Sequence, residues 1–228
     1  MTDGPYIAET AALIGDPARS NMLVALLGGR AMTATELGLE AHVAPSTASG
    51  HLARLVGGKL LSVTARGRHR YYRLASPRVA QVLEEIMSLA CDGPSRHRGK
   101  SRCDEAMARA RTCYDHLAGK LGVALADSLA SRRQIVINDE GALLTEVGRS
   151  FLEGLGVSFE PRRQSRRVLC RTCLDWSERR WHIGGSVGAA IAEHCFSQGW
   201  AERQAGSRAI IVTATGIRAF DELFGVKL

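Results

Sequence analysis

The sequence predicts an α+β chain, mainly helical: an N-terminal winged helix-turn-helix and a C-terminal domain of two helix–hairpin–helix repeats. Three observations predict it. Two short capped helices run into an arginine-rich β-hairpin within the first 75 residues. A basic Gly/Pro/Ser stretch at 91–102 interrupts the apolar periodicity. A histidine-led, glycine-spaced helix pattern at 116–127 then recurs at 182–193. The expected layout is a winged helix-turn-helix domain over 1–90, a linker over 91–102 and a duplicated domain over 103–228. The repeats fall at about 113–157 and 179–226.

The first helix signal is Asp16-Pro17, an N-cap followed by proline at the first helical position. Met22, Leu23, Leu26 and Leu27 supply its apolar face, and Gly28-Gly29 stops it. Thr33 and Glu36 have capping-box spacing and open a second helix running to about His42. Pro45 starts a third, with Ala48, Leu52 and Leu55 facing the core. Its other faces carry Ser46, Thr47, Ser49, His51 and Arg54. Two short helices joined by a tight turn, the second with small hydroxyl residues in its first turn, describe a helix-turn-helix. A recognition helix enters the major groove N-terminus first, so short side chains there let the backbone approach base edges and phosphates.

Residues 60–74 read as a hairpin turning at Arg66-Gly67-Arg68. Its tip and return strand hold Arg66, Arg68, His69, Arg70, Tyr71 and Arg73 without an acid. Beside a helix-turn-helix, such a hairpin is expected to grip phosphate or the minor groove. Ser76-Pro77 then opens a helix with Val79, Val82, Leu83, Ile86 and Leu89 on one stripe.

Three segments taken together, Gly15 to Arg19, Ser46 to Leu55 and Arg66 to Leu74, resemble the ArsR/SmtB winged-helix repressors over roughly residues 6–90. The resemblance implies a homodimer whose interface uses the first and last helices of this domain. It also implies an imperfect palindromic DNA operator and release when an inducer binds. Ala44 stands where the family often has a serine cap, and Gly50 sits inside the recognition helix. The family's best-known metal sites do not carry over, because neither 36–42 nor 78–90 holds their ligands.

In the second domain, each helix of the repeat precedes a hairpin-like stretch (134–144 and 200–212) and a closing helix (145–157 and 213–226). The pairs Gly119/Gly122 and Gly185/Gly188 allow close helix approach and are expected to form the contact between repeats. Between the repeats, Cys170 and Cys173 share a face with Trp176 if the segment is helical. Cys113 and His116 have the same spacing, and His182 is the repeat partner of His116. Three readings of these cysteines stay open. They are buried thiols, a soft metal or metalloid site drawn from Cys113, His116, Cys170, Cys173 and His182, or a thiol redox switch tuned by nearby arginines. Trp176, Trp181 and Trp200 either belong to the core or line an apolar effector pocket.

The 228 residues carry 30 Lys+Arg against 23 Asp+Glu, a formal charge of +7. That balance points to an acidic partner, nucleic acid first. It sits in two patches. The wing (62–73) has four Arg and no acid, and 160–180 has seven Arg against three acids. No apolar run reaches membrane-span length and no signal-peptide pattern opens the chain, so a cytoplasmic location is expected. The expected function is sequence-specific transcriptional regulation, as a homodimeric repressor released by an effector, thiol or metal event in the C-terminal domain. A constitutive architectural DNA binder and a Cys/His-dependent enzyme are the alternatives. No HExxH, GxSxG or Walker pattern supports the enzyme.

Overall fold

The computed structural model describes residues 7–92, 102–138, 141–159 and 168–228. The chain divides into two compact units, Met1–Leu83 and Glu84–Leu228.

The first unit is a winged helix. It runs α1 (Ile7–Ile14), α2 (Pro17–Leu26), β1 (Met32–Thr33), α3 (Ala34–Glu40), α4 (Pro45–Gly57), β2 (Leu61–Arg66) and β3 (His69–Leu74), then enters α5 (Pro77–Asp92). The start signals work as the sequence suggests. Asp16 accepts the Arg19 N–H at 2.9 Å to cap α2, and Thr33 with Glu36 closes a full capping box on α3. Met22, Leu23, Leu26, Leu37, Leu52 and Leu55 are buried together with Tyr72 and Leu74. β2 and β3 pair antiparallel from Leu61↔Leu74 to Arg66↔His69, leaving a two-residue tip. β1, two residues long and too short to show alternation in sequence, pairs with β3 at Met32↔Tyr72 and Thr33↔Tyr71.

The second unit takes in α5 from Glu84 onward and α6 (Arg102–Arg109), and continues as two sets of elements in the same order. The first set is β4 (Arg111–Cys113), β5 (His116–Ala118), α7 (Gly119–Ser131), β6 (Ile135–Asn138), β7 (Gly141–Leu144) and α8 (Glu146–Gly154). The other is β8 (Arg171–Leu174), β9 (Trp181–Gly184), α9 (Gly185–Ser197), β10 (Ala201–Arg203), β11 (Ile210–Val212) and α10 (Ala214–Phe224). Each hairpin is an antiparallel pair. Helices and hairpins are exchanged: α7 packs on β9 and α9 packs on β5. One apolar core results, with Leu117, Leu121, Leu125 and Leu129 of one set against Ile183, Val187, Ile191 and Phe220 of the other.

One expectation changes. Each first helix is preceded by a β-hairpin, so His116-Leu117-Ala118 and His182-Ile183-Gly184 are strands. The glycines behind them explain the shape. Gly119 and Gly185 take φ of +74° and +81°, where a side chain would strike backbone carbonyls, so the chain turns sharply from strand into helix. The segment expected as a linker, 91–102, falls where α5 ends at Asp92 and α6 begins at Arg102. Residues 93–101 lie outside the described residues, as do Arg162, Arg163, Arg166 and Arg167 of the second basic patch.

Candidate functional site

Two sites emerge, one in each unit. In the first, Pro45 starts α4 without a side-chain cap, because Ala44 has nothing to offer the free N–H groups. Ser46, Thr47, Ser49 and Arg54 are all exposed along α4, and Arg66, Arg68, His69 and Arg70 are exposed on the wing. Tyr71 is half-buried. Ser49 donates its hydroxyl hydrogen to the Pro45 carbonyl at 3.0 Å, which leaves its oxygen as an acceptor only. Arg30, Thr64, Arg66, Tyr71 and Arg73 line a groove beside the wing. Arg30 was missed in the sequence because it precedes β1, itself invisible there.

His51 behaves differently from its neighbours. It is half-buried, and its Nδ1 lies 3.4 Å from the Arg19 guanidinium and 3.7 Å from Asp16. Arg19, itself buried, donates to the carbonyls of Leu13 and Ala12 at 2.7 Å each. His51 therefore ties α4 to the α1–α2 junction.

The second site is a cluster of Cys113, His116, Cys173 and His182, whose four ligand-type atoms all lie within 4.8 Å of one another. Hairpin register assembles it. Cys113 stands opposite His116 in β4–β5, and Cys173 opposite His182 in β8–β9. Strand alternation sends these side chains to one side while Leu117 and Ile183 enter the apolar core. Both histidines are fully buried and both cysteines nearly so.

The cluster sits in a polar cage. Asp115 Oδ1 is 3.3 Å from His116 Nδ1, and Asp175 Oδ2 is 3.6 Å from His182 Nδ1. The latter distance exceeds a hydrogen bond, and His182 Nδ1 finds no other partner among the described residues. Asp175, wholly buried, accepts the Gly119 N–H at 2.6 Å and the Ser177 hydroxyl at 2.7 Å. Arg111 Nη2 lies 2.9 Å from Asp175 but off the line of an N–H bond, so that pair is Coulombic rather than directed. Burial works against ionising Asp175, yet Arg111, Ser177 and Gly119 together hold its carboxyl down at about 2. Cys113 Sγ and Cys173 Sγ share a hydrogen bond at 3.7 Å. That bond, with help from both imidazoles, holds the Cys173 thiol well below its usual value. The same bond and burial push Cys113 well above it. Such a group of atoms can hold a four-coordinate metal ion or, after oxidation, a disulfide.

Cys170 does not join the cluster. The segment is not helical: Cys173 lies in β8, whereas Cys170 lies in the bend that precedes it. Cys170 instead enters the apolar core, where burial raises its thiol to about 11. Cys195 is buried there too, pushed up to about 12. Nor do the tryptophans line one pocket. Trp176 lies under the Arg111 guanidinium at 4.2 Å, Trp200 packs edge-on against Phe220 at 5.8 Å, and Trp181 is exposed.

The sequence held a signal for this cage that its helical reading hid. Arg111-Thr112-Cys113-Tyr114-Asp115 and Arg171-Thr172-Cys173-Leu174-Asp175 are one pattern, Arg-Thr-Cys-x-Asp, written twice. Each copy brings a cysteine and the carboxylate that faces a cluster histidine.

No protein-family model matches the chain. Among solved structures, the homodimeric winged helix-turn-helix DNA-binding domain of Mb0332 from Mycobacterium bovis is similar at 21% identity. That match covers 42% of this chain and 87% of that one, with a TM-score of 0.36. The cadmium sensor CMTR from Mycobacterium tuberculosis is 28% identical over 42% of this chain and 98% of its own, with a TM-score of 0.33. The chain is also 40% identical, over 98% of its length and 99% of the other, to the uncharacterized HTH-type transcriptional regulator YdfF of Bacillus subtilis (strain 168). A likeness of that depth, spanning both units rather than the winged helix alone, means that the chain belongs to the HTH-type transcriptional regulators.

Proposed function

We propose that the protein is a homodimeric, sequence-specific DNA-binding repressor of the ArsR/SmtB type. An event in its second unit releases it from an imperfect palindromic operator. The observation that carries the reading is the pairing of an exposed, hydroxyl-lined α4 with a wing whose Arg66, Arg68, Arg70 and Arg73 are all exposed and unopposed by acid. In that pairing α4 reads base edges in the major groove and the wing holds flanking phosphates. Exposed apolar side chains support the dimer: Ile7 on α1 is 78% exposed, and Leu89 on α5 is 72% exposed. The common element order of the two sets supports a duplicated second domain.

Fluorescence anisotropy on DNA from upstream of the protein's own coding sequence tests this. Expected is binding that discriminates that DNA from a shuffled duplex and weakens steeply with salt. Equal affinity for both duplexes would make the protein an architectural binder, and no affinity for either would overturn DNA binding altogether.

A further inference from the structure

We propose that Cys113, His116, Cys173 and His182 form a closed, four-coordinate transition-metal site of the zinc class, built half from each set of elements in the second unit. The inference concerns that unit alone and stands whether or not the protein binds DNA.

Donor chemistry is the first argument. Two thiolates and two imidazoles are the soft and borderline set that selects a tetrahedral zinc-type ion over calcium or magnesium. Distance is the second. Zinc–sulfur and zinc–nitrogen bonds of about 2.3 and 2.0–2.1 Å require tetrahedral edges of roughly 3.8 Å between sulfurs and 3.3 Å between nitrogens. The structure places Cys113 Sγ 3.7 Å from Cys173 Sγ, and His116 Nε2 3.2 Å from His182 Nε2.

Tautomer is the third argument. Asp115 and Asp175 face the Nδ1 atoms and favour a proton there. Both Nε2 atoms then present lone pairs to each other, which repel unless an electrophile lies between them. A carboxylate behind each ligating histidine is the usual outer arrangement of a zinc site. Charge is the fourth. A divalent ion with two thiolates is neutral overall, which a wholly buried site demands. All four positions are filled by protein atoms and all four residues are buried, so no coordination position is left for substrate. The site is structural or sensory rather than hydrolytic.

The test uses the full chain, expressed and purified without added metal or chelator. Elemental analysis is expected to give one zinc-class ion per chain. Cobalt exchanged into the same protein is expected to give the visible ligand-field bands of a tetrahedral ion with a thiolate charge-transfer band. Cys113→Ser and Cys173→Ser should each abolish the cobalt charge-transfer pattern of the parent, whereas Cys170→Ser and Cys195→Ser should keep it. Asp115→Asn replaces no ligand but changes the group behind His116 Nδ1, and should weaken affinity for zinc by about 10- to 100-fold in chelator competition. That variant keeps the test open if the cysteine variants fail to fold. Metal-free protein with Cys113 and Cys173 titrating as free thiols would overturn the site. So would their recovery as a disulfide in non-reducing mass spectrometry, or cobalt spectra unchanged in Cys113→Ser.

Discussion

His116 Nε2 and His182 Nε2 meet at 3.2 Å although 66 positions separate them in the chain. Two glycines permit the approach. A Cβ on Gly188 would stand 3.2 Å from His116 Cβ and only 2.1 Å from the Ile183 carbonyl oxygen, and one on Gly122 would stand 2.5 Å from the Leu117 carbonyl oxygen. Each helix thus comes close enough to seat the other set's histidine because it has no side chain there. Gly188→Ala is expected to push α9 away and cost about 1–3 kcal/mol by overpacking. Denaturant unfolding checks this, and an unchanged midpoint would show that the backbone yields freely.

Arg111 and Asp175 are both fully buried, and each is the other's counter-charge. Removing one partner of such a pair leaves an uncompensated charge in the interior. Arg111→Met is expected to destabilise the second unit by about 3–5 kcal/mol. It also strips the cation from the face of Trp176, so indole fluorescence should shift in the folded variant. A loss under roughly 1 kcal/mol would mean that water or another donor reaches Asp175.

The first unit was legible because its signals are local. Asp16-Pro17, Thr33 with Glu36, and the alternating hairpin each act within a few residues. The cluster was legible in membership but not in mechanism. Spacing three apart suggested one helical face for Cys113 and His116, and they do meet, but as cross-strand partners in a tight hairpin. The same spacing misplaces Cys170, because a bend ahead of β8, not a helix, separates it from Cys173. Strands of three or four residues carry too little alternation to announce themselves, and Asp175 could be recognised only by comparing two hairpins far apart in sequence.

One residue at the N-cap of α4 and one inside the helix weaken it. Ala44 leaves its N-terminus uncapped, and a Cβ at Gly50 would meet nothing within 4 Å. Ala44→Ser and Gly50→Ala are each expected to stabilise the first unit by about 1 kcal/mol. Their effects on DNA should differ. Gly50 is exposed beside Ser46 and Thr47, so a methyl group there is expected to weaken operator binding even as stability rises, while Ala44→Ser leaves affinity level or better. Parallel thermal melts and anisotropy titrations separate the two readouts.

Wing arginines that touch phosphate must release counterions. Arg66→Ala, Arg68→Ala and Arg73→Ala should each reduce the slope of log affinity against log salt by about 0.9. Arg30→Ala should do the same, since Arg30 lines one groove with Arg66 and Arg73. All four should weaken specific and shuffled duplexes alike, because phosphate contacts carry no base preference. A variant that loses only specific affinity would instead place its arginine on a base edge.

Acid should loosen the first unit through its caps. The Arg19 N–H holds the Asp16 carboxyl below its usual value, helped by the Arg19 and His51 charges. The Thr33 N–H and hydroxyl do the same for Glu36. Both groups are more acidic folded than unfolded, so the unfolded chain binds protons first as pH drops. Their stabilisation is complete above the ordinary carboxylate range, near pH 4, and is lost as pH falls through the lower folded values. Asp16→Asn with Glu36→Gln keeps both caps chemically plausible but cannot titrate. Thermal midpoints measured from pH 6 to pH 3 should therefore fall less in the double variant than in the parent. Identical slopes would move the acid sensitivity to other carboxylates.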